Sequence, residues 1–273
     1  MTLHEPLGVA VAQFAPTPDV DANLATIRSF SVRAAERGAS IVVFPEYSSY
    51  FVNPMDDSFA RHAQSLDGPF VRTLEALAGE LGVHIVAGLV ESTDDPRRFS
   101  NTAVAVGPEE ETVAVYRKQH LYDAFGQKES DWVVAGELDE PQTFEVGGLM
   151  VGMQTCYDLR FPEVTRRIVD AGAEVVLVPA EWVRGPLKEH HWRTLLTARA
   201  IENTVYVAGA DHPPSIGAGN SMVVDPSGVP LATLGTQSDV AVAFVSRAVL
   251  TETRAVNPSL QLRRYGIVPT TGE

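Results

Sequence analysis

Residues 7–14, Leu-Gly-Val-Ala-Val-Ala-Gln-Phe, leave almost no polar face for water, so a strand built from them has to be covered on both sides. Comparable apolar runs recur at 40–44, 149–155, 174–178 and 205–210. Amphipathic helices are predicted between them. One takes Asp19 or Asp21 as its cap, carries Leu24, Ile27, Ser31 and Ala34 on one face, and stops at Gly38. A second presents Phe70, Leu74, Leu77, Ala78 and Leu81; a third spans 162–171 ahead of Gly172; a fourth, over 190–203, turns Trp192, Leu195, Leu196 and Ile201 inward. Further strands are expected at 84–90, 102–106, 112–116, 142–146, 221–224 and 240–245. Short turns such as 107–111 and Gly147-Gly148 join some strands directly, so a purely parallel sheet does not fit. A mixed sheet, or paired sheets covered by helices, does. No Pro/Gly/Ser-rich linker divides the chain, which reads as one domain over 1–273.

Charge then removes classes of function. Against 21 Lys and Arg stand 35 Asp and Glu, a net charge of −14, which disfavours both a nucleic-acid surface and an anionic membrane as partner. The N-terminus has no basic segment leading into an apolar stretch, and no apolar run reaches membrane-spanning length, so the expected location is the cytoplasm. The single cysteine excludes an intramolecular disulfide and a multi-cysteine metal site, and fits a reducing compartment.

That cysteine, Cys156, falls in Thr-Cys-Tyr-Asp-Leu-Arg-Phe-Pro162, between a predicted strand and a predicted helix. Free N–H groups in such a connection favour the thiolate and can hold a negatively charged oxygen opposite it; a buried structural cysteine is the alternative. Two other strand ends carry charge. Glu46 follows Ile41-Val-Val-Phe-Pro45, where a carboxylate against apolar walls suits proton transfer, although a solvated turn residue would look the same. Lys118 ends Ala114-Val-Tyr-Arg, either as a gatekeeper charge or as an ammonium that supports a thiolate and a tetrahedral oxyanion. A competing scheme pairs the thiol with His120, His190 or His191. No second cluster has metal-ligand spacing, and metal binding is not expected.

In order, Val-Phe-Pro-Glu46, Tyr-Arg-Lys118-Gln-His-Leu and Thr-Cys156-Tyr-Asp-Leu-Arg-Phe-Pro-Glu resemble the Glu, Lys and Cys signatures of the nitrilase, or carbon-nitrogen hydrolase, superfamily. The resemblance runs from Val9 to about Phe244 and includes Ala198-Arg-Ala-Ile-Glu-Asn203 and Asp225-Pro-Ser-Gly228. The cysteine segment is most similar to the amidase branch of omega-amidases and deaminated-glutathione amidases. The resemblance implies an α/β protein, a four-layer α-β-β-α sandwich, that hydrolyses a non-peptide C–N bond of a small amide through a cysteine thioester. It makes Cys156 the nucleophile, Glu46 the general base and Lys118 the oxyanion stabiliser. Glu129 becomes the second glutamate, and the Tyr157 N–H the second oxyanion donor. Arg199 and Glu202 become structural supports.

Substrate contacts are expected from Tyr157, Arg160, Glu181 and Trp182. Related amidases commonly carry a neutral residue where Glu181 stands, and an acid there would repel a substrate carboxylate unless Arg160 or Arg184 offset it. The scheme needs no cofactor. The resemblance also implies a homodimer or larger assembly, in which the tail 247–273, with little periodicity, serves as an arm. Two alternatives share the motifs: an N-carbamoyl amidohydrolase or nitrilase, and a catalytically silent binding or assembly member.

Overall fold

The computed structural model of the chain describes residues 6–270. Its elements, in order, are β1 (Leu7–Gln13), α1 (Val20–Glu36), β2 (Ile41–Val43), α2 (Ser58–His62), α3 (Pro69–Leu81), β3 (His84–Ser92), β4 (Phe99–Val106), β5 (Thr112–Arg117), β6 (Val133–Val134), β7 (Thr143–Val146), β8 (Leu149–Met153), α4 (Pro162–Asp170), β9 (Val175–Pro179), α5 (Lys188–Asn203), β10 (Tyr206–Ala210), β11 (Met222–Val224), β12 (Pro230–Thr233), β13 (Asp239–Val245) and α6 (Arg247–Val256).

The strands form two sheets of matching plan. In one, ordered β13-β1-β2-β3-β4-β5 with β6 beside β4, the strands β1, β2 and β3 run parallel and their neighbours antiparallel. In the other, ordered β12-β11-β10-β9-β8-β7, the parallel trio is β8, β9 and β10.

The unbroken apolar strands follow from this layering. Side chains alternate across a strand, so Val9 and Val11 enter the core between the sheets with Ile41, Val43, Val151 and Leu177. Ala10 and Ala12 point the other way, against Ile27 and Phe30 of α1 and Phe70 and Leu74 of α3. Likewise Val176 and Val178 meet Ile168 of α4 and Trp192 and Leu196 of α5. Helix, sheet, sheet, helix is the result. Asp19 caps α1 by accepting from the Ala22 N–H at 3.0 Å, and Pro162 starts α4, where its missing N–H is not needed.

Several local expectations need correction. Ile201 is 46% exposed rather than inward; its side chain covers Gly228, where a Cβ would stand 2.6 Å from Ile201 Cδ1. The tail is not featureless, because its first ten residues form α6, anchored by the single buried residue Leu250. The short elements α2, β6 and β12 were too brief or too exposed to register as periodic.

The fold gathers polar residues at one place. Glu46 follows β2, Cys156 follows β8 and Glu181 follows β9, so the carboxyl ends of parallel strands from both sheets face a common crevice. Lys118, at the end of β5, reaches the same crevice from the antiparallel side.

Candidate active site

Glu46 can turn out of β2 only because Gly88 on β3 has no side chain. A Cβ there would stand 2.3 Å from the Tyr47 nitrogen and 2.7 Å from the Glu46 carbonyl carbon. The glutamate is then fixed by three donors. Its Oε1 accepts from Asn101 Nδ2 at 2.6 Å and from Lys118 Nζ at 3.0 Å, and its Oε2 accepts from the Glu181 N–H at 2.6 Å. His212, a neutral imidazole whose pKa burial lowers to about 4, donates from Nε2 to the Glu46 carbonyl oxygen at 2.8 Å.

Glu129 opens a short 3-10 turn in the polar segment after β5 and takes the other side of the lysine. Lys118 Nζ donates to both its oxygens, at 3.0 and 2.8 Å; Tyr47 Oη adds a bond at 2.7 Å, Asn101 Nδ2 one at 3.0 Å and the Tyr122 N–H one at 2.6 Å. Glu46, Lys118 and Glu129 are 1%, 2% and 7% exposed, so this is a buried charge cluster in which each group is hydrogen-bonded. Burial by itself would lower the Lys118 pKa. The carboxylates of Glu129 and Glu46 outweigh it, holding the ammonium charged well above the ordinary lysine value. Burial pushes Glu129 the opposite way from its neighbours, yet the Lys118 charge and hydrogen bonds keep its pKa below the ordinary carboxyl value.

Cys156 opens the 3-10 turn Cys156–Arg160 with a φ of 46°, in the left-handed region that a residue with a side chain rarely adopts. The turn is held rather than loose: Arg199 clasps the Leu159 carbonyl with Nε and Nη2 at 3.1 and 2.7 Å and pairs with Glu202 at 3.0 Å. These two residues act as supports. Outside the helix and strand ladders, the Tyr157 N–H has no backbone acceptor among the described residues. The thiol itself departs from expectation. Burial first, and then the charge of Glu46, raise the Cys156 pKa well above the ordinary value despite the opposing pull of Lys118. The strand-to-helix turn therefore presents a thiol that needs a base.

Among the described residues no imidazole lines the crevice beside Cys156, and His120, His190 and His191 all lie outside its lining. His120 is bound through Nδ1 to Asp158 at 2.8 Å and stacks on Phe161, while His191 lies 3.4 Å from Arg160. The Cys156 sulfur contacts the Glu181 carbonyl oxygen at 3.5 Å. The Cys-His dyad is set aside on this geometry.

The crevice holds about 470 Å³ and is lined by Glu46, Lys118, Glu129 and Cys156 at its base, with Tyr157, Arg160, Glu181 and Trp182 on its walls. Trp182 is fixed by its N–H to Asp211 at 2.7 Å and its indole N–H to the Lys188 carbonyl at 2.9 Å. Neither arginine that could have offset Glu181 pairs with it: Arg184 pairs with Glu189 at 3.6 Å, and Arg160 lies over the Trp182 ring. Burial, followed by the charges of Glu46 and Asp211, pushes the Glu181 carboxyl well above its ordinary value. Burial and these acidic neighbours thus penalise a charged carboxylate at this position. Asn101, Tyr47, His212 and Lys188 escaped the sequence reading. A polar Asn101 in the apolar run of β4 was the one available signal.

This architecture recurs in known proteins. The carbon-nitrogen hydrolase family matches residues 8–255. The chain belongs to that family. It is 39% identical over 258 residues to a deaminated glutathione amidase of Escherichia coli O157:H7, covering 94% of this chain and 97% of that one. In structure it is similar to the C. elegans NitFhit protein, at a TM-score of 0.86 and 27% identity over 96% of this chain and 66% of that one. It is also similar to a variant of the amidase from Nesterenkonia sp. AN1 that shows covalent addition of the acetamide moiety of fluoroacetamide at the active site cysteine. There the TM-score is 0.80 and the identity 28%, over 96% of this chain and 95% of that one. This carbon-nitrogen hydrolase is an enzyme of the amidase type, with the four-layer sandwich of the nitrilase superfamily. Among the described residues, no group of histidine, cysteine or acidic side chains could hold a metal ion, and no helix is long and apolar enough to cross a membrane.

Proposed function

We propose that Cys156, Glu46, Lys118 and Glu129 cleave a small amide whose acyl group carries a carboxylate. The observation that carries the reading is a strained, held cysteine opening into a pocket beside a buried Glu-Lys-Glu cluster. Glu46 removes the thiol proton as the sulfur attacks the amide carbon, because a thiol with a raised pKa cannot supply much free thiolate. Lys118 Nζ and the Tyr157 N–H receive the carbonyl oxygen as it becomes an anion. Glu46 returns the proton to the departing nitrogen, releasing ammonia or an amine and leaving a thioester on Cys156. Water, deprotonated by the same carboxylate, then releases the acid and the thiol. Glu129 holds Lys118 in place and keeps it charged.

Arg160, whose guanidinium faces the pocket without a carboxylate partner, supports an acidic acyl group, and Tyr157, Trp182 and Glu181 form the walls around it. The relatives named deaminated glutathione amidase make deaminated glutathione the first compound to test. The assay is product analysis over that compound, other carboxylate-bearing amides, N-carbamoyl compounds and nitriles. Amide hydrolysis that disappears in Cys156→Ser is expected. Faster turnover of a nitrile, or carbon dioxide from a carbamoyl compound as the main product, would contradict the substrate class.

The unit is one carbon-nitrogen hydrolase domain acting in the cytoplasm. It assembles as a homodimer or larger, for which the exposed Leu262, Tyr265 and Val268 beyond α6 are supporting features. Light scattering at micromolar concentration should return at least twice the mass of the chain; a monomer with full activity would refute the assembly.

A further inference from the structure

Five basic residues line the crevice, and three of them have carboxylate partners: Lys118 with Glu46 and Glu129, Lys128 with Asp131, and Arg184 with Glu189. Arg160 and Lys188 have none among the described residues. Lys188 is the more unusual, because it is 7% exposed. Its Nζ donates to Tyr122 Oη at 2.7 Å and lies 3.7 Å from the centroid of the Phe125 ring. Tyr122 cannot neutralise it, since burial first and then the neighbouring Cys156 push that phenol up to about 12.

The Arg160 guanidinium lies 5.5 Å from the same Phe125 ring, and its Nε is buried without a partner. Two cations therefore converge on one aromatic side chain. The arrangement is costly, and burial together with Arg160 lowers the Lys188 pKa. A buried charge is retained where something of opposite sign meets it. Here that partner has to arrive through the pocket.

We propose that Lys188 is a specificity-determining residue, which with Arg160 grips a carboxylate on the acyl group at the end away from the scissile amide. The proposal rests on the amidase reading of the site and goes beyond it by assigning the second arm of the grip. It has a structural competitor: Lys188 could serve only as a strut that ties Tyr122 and Phe125 over the pocket. Lys188→Gln separates the two, because glutamine can still donate to Tyr122 but carries no charge.

The experiment compares succinamate, glutaramate and adipamate with butyramide, valeramide and caproamide, in which a methyl group replaces the carboxylate. The ratio of kcat/KM for acid amide over neutral amide should fall about tenfold in Lys188→Gln, corresponding to about 1.4 kcal/mol. The change should appear in KM rather than kcat, as expected for a contact made equally in ground and transition states. Lys188→Arg should keep the ratio. Wild-type protein gives a second reading, since added salt should raise KM for the acid amides and leave that of the neutral amides in place. Equal losses on both series would identify a strut and overturn the proposal. Turnover of amides by the wild type without preference for the acids would overturn it too, while leaving the amidase reading intact. Failure to hydrolyse any amide would remove both.

Discussion

The base of the crevice and its wall treat charge in opposite ways. At the base, Lys118 sits between Glu46 and Glu129, and Asn101, Tyr47 and the Tyr122 and Glu181 N–H groups occupy the remaining lone pairs. On the wall, Arg160 and Lys188 share aromatic neighbours and lack an anion, and Glu181 has neither ion pair nor side-chain hydrogen bond among the described residues. On the proposed mechanism, the contrast separates two tasks. Groups that act on every substrate are preorganised by one another, at no reorganisation cost during the reaction. Groups that choose the substrate are left incomplete.

The largest test of this division is Lys118→Met. Removing the cation leaves two buried carboxylates facing each other, so a stability loss of about 3–5 kcal/mol is expected in denaturant unfolding. Activity should fall by at least about a hundredfold, since an oxyanion donor goes with it. A variant as stable as the wild type would mean that the base is not the coupled unit described.

The division also explains what the sequence revealed. Glu46, Lys118 and Cys156 were visible because each ends an apolar strand, and three such ends in order match one family. The two-faced burial of 7–14 likewise announced a layered fold. Partners of the triad were hidden because their roles depend on distant pairing: Asn101 meets Glu46 across 55 positions, and His212 meets its carbonyl across 166. Lys188 was invisible for a different reason. At the start of a polar-faced helix it looks like any solvated lysine, and its contacts with Tyr122 and Phe125 join positions more than 60 residues apart.

A smaller effect is expected at Glu181, whose folded-state pKa lies well above the ordinary 4.5. The folded protein then binds that proton more tightly than the unfolded chain does. The associated stability is complete below pH 4.5 and is lost as pH rises through the raised folded value. Glu181→Gln removes the titration, so its Tm relative to wild type should climb as pH is raised across that window. A difference that stays constant from acid to alkaline pH would show that Glu181 is held as an ordinary carboxylate, and would restore it as a fixed anion in the pocket.

The central claim is that Cys156 carries the acyl group, and intact-mass spectrometry tests it most directly. Wild-type protein quenched during turnover of a carboxylate-bearing amide should gain the mass of the acyl group, and peptide mapping should locate it on Cys156 as a thioester labile to hydroxylamine. Cys156→Ser should neither turn over nor release product. Steady hydrolysis by the serine variant, or turnover by the wild type through Glu46 and Lys118 with an adduct on some other residue, would contradict the account.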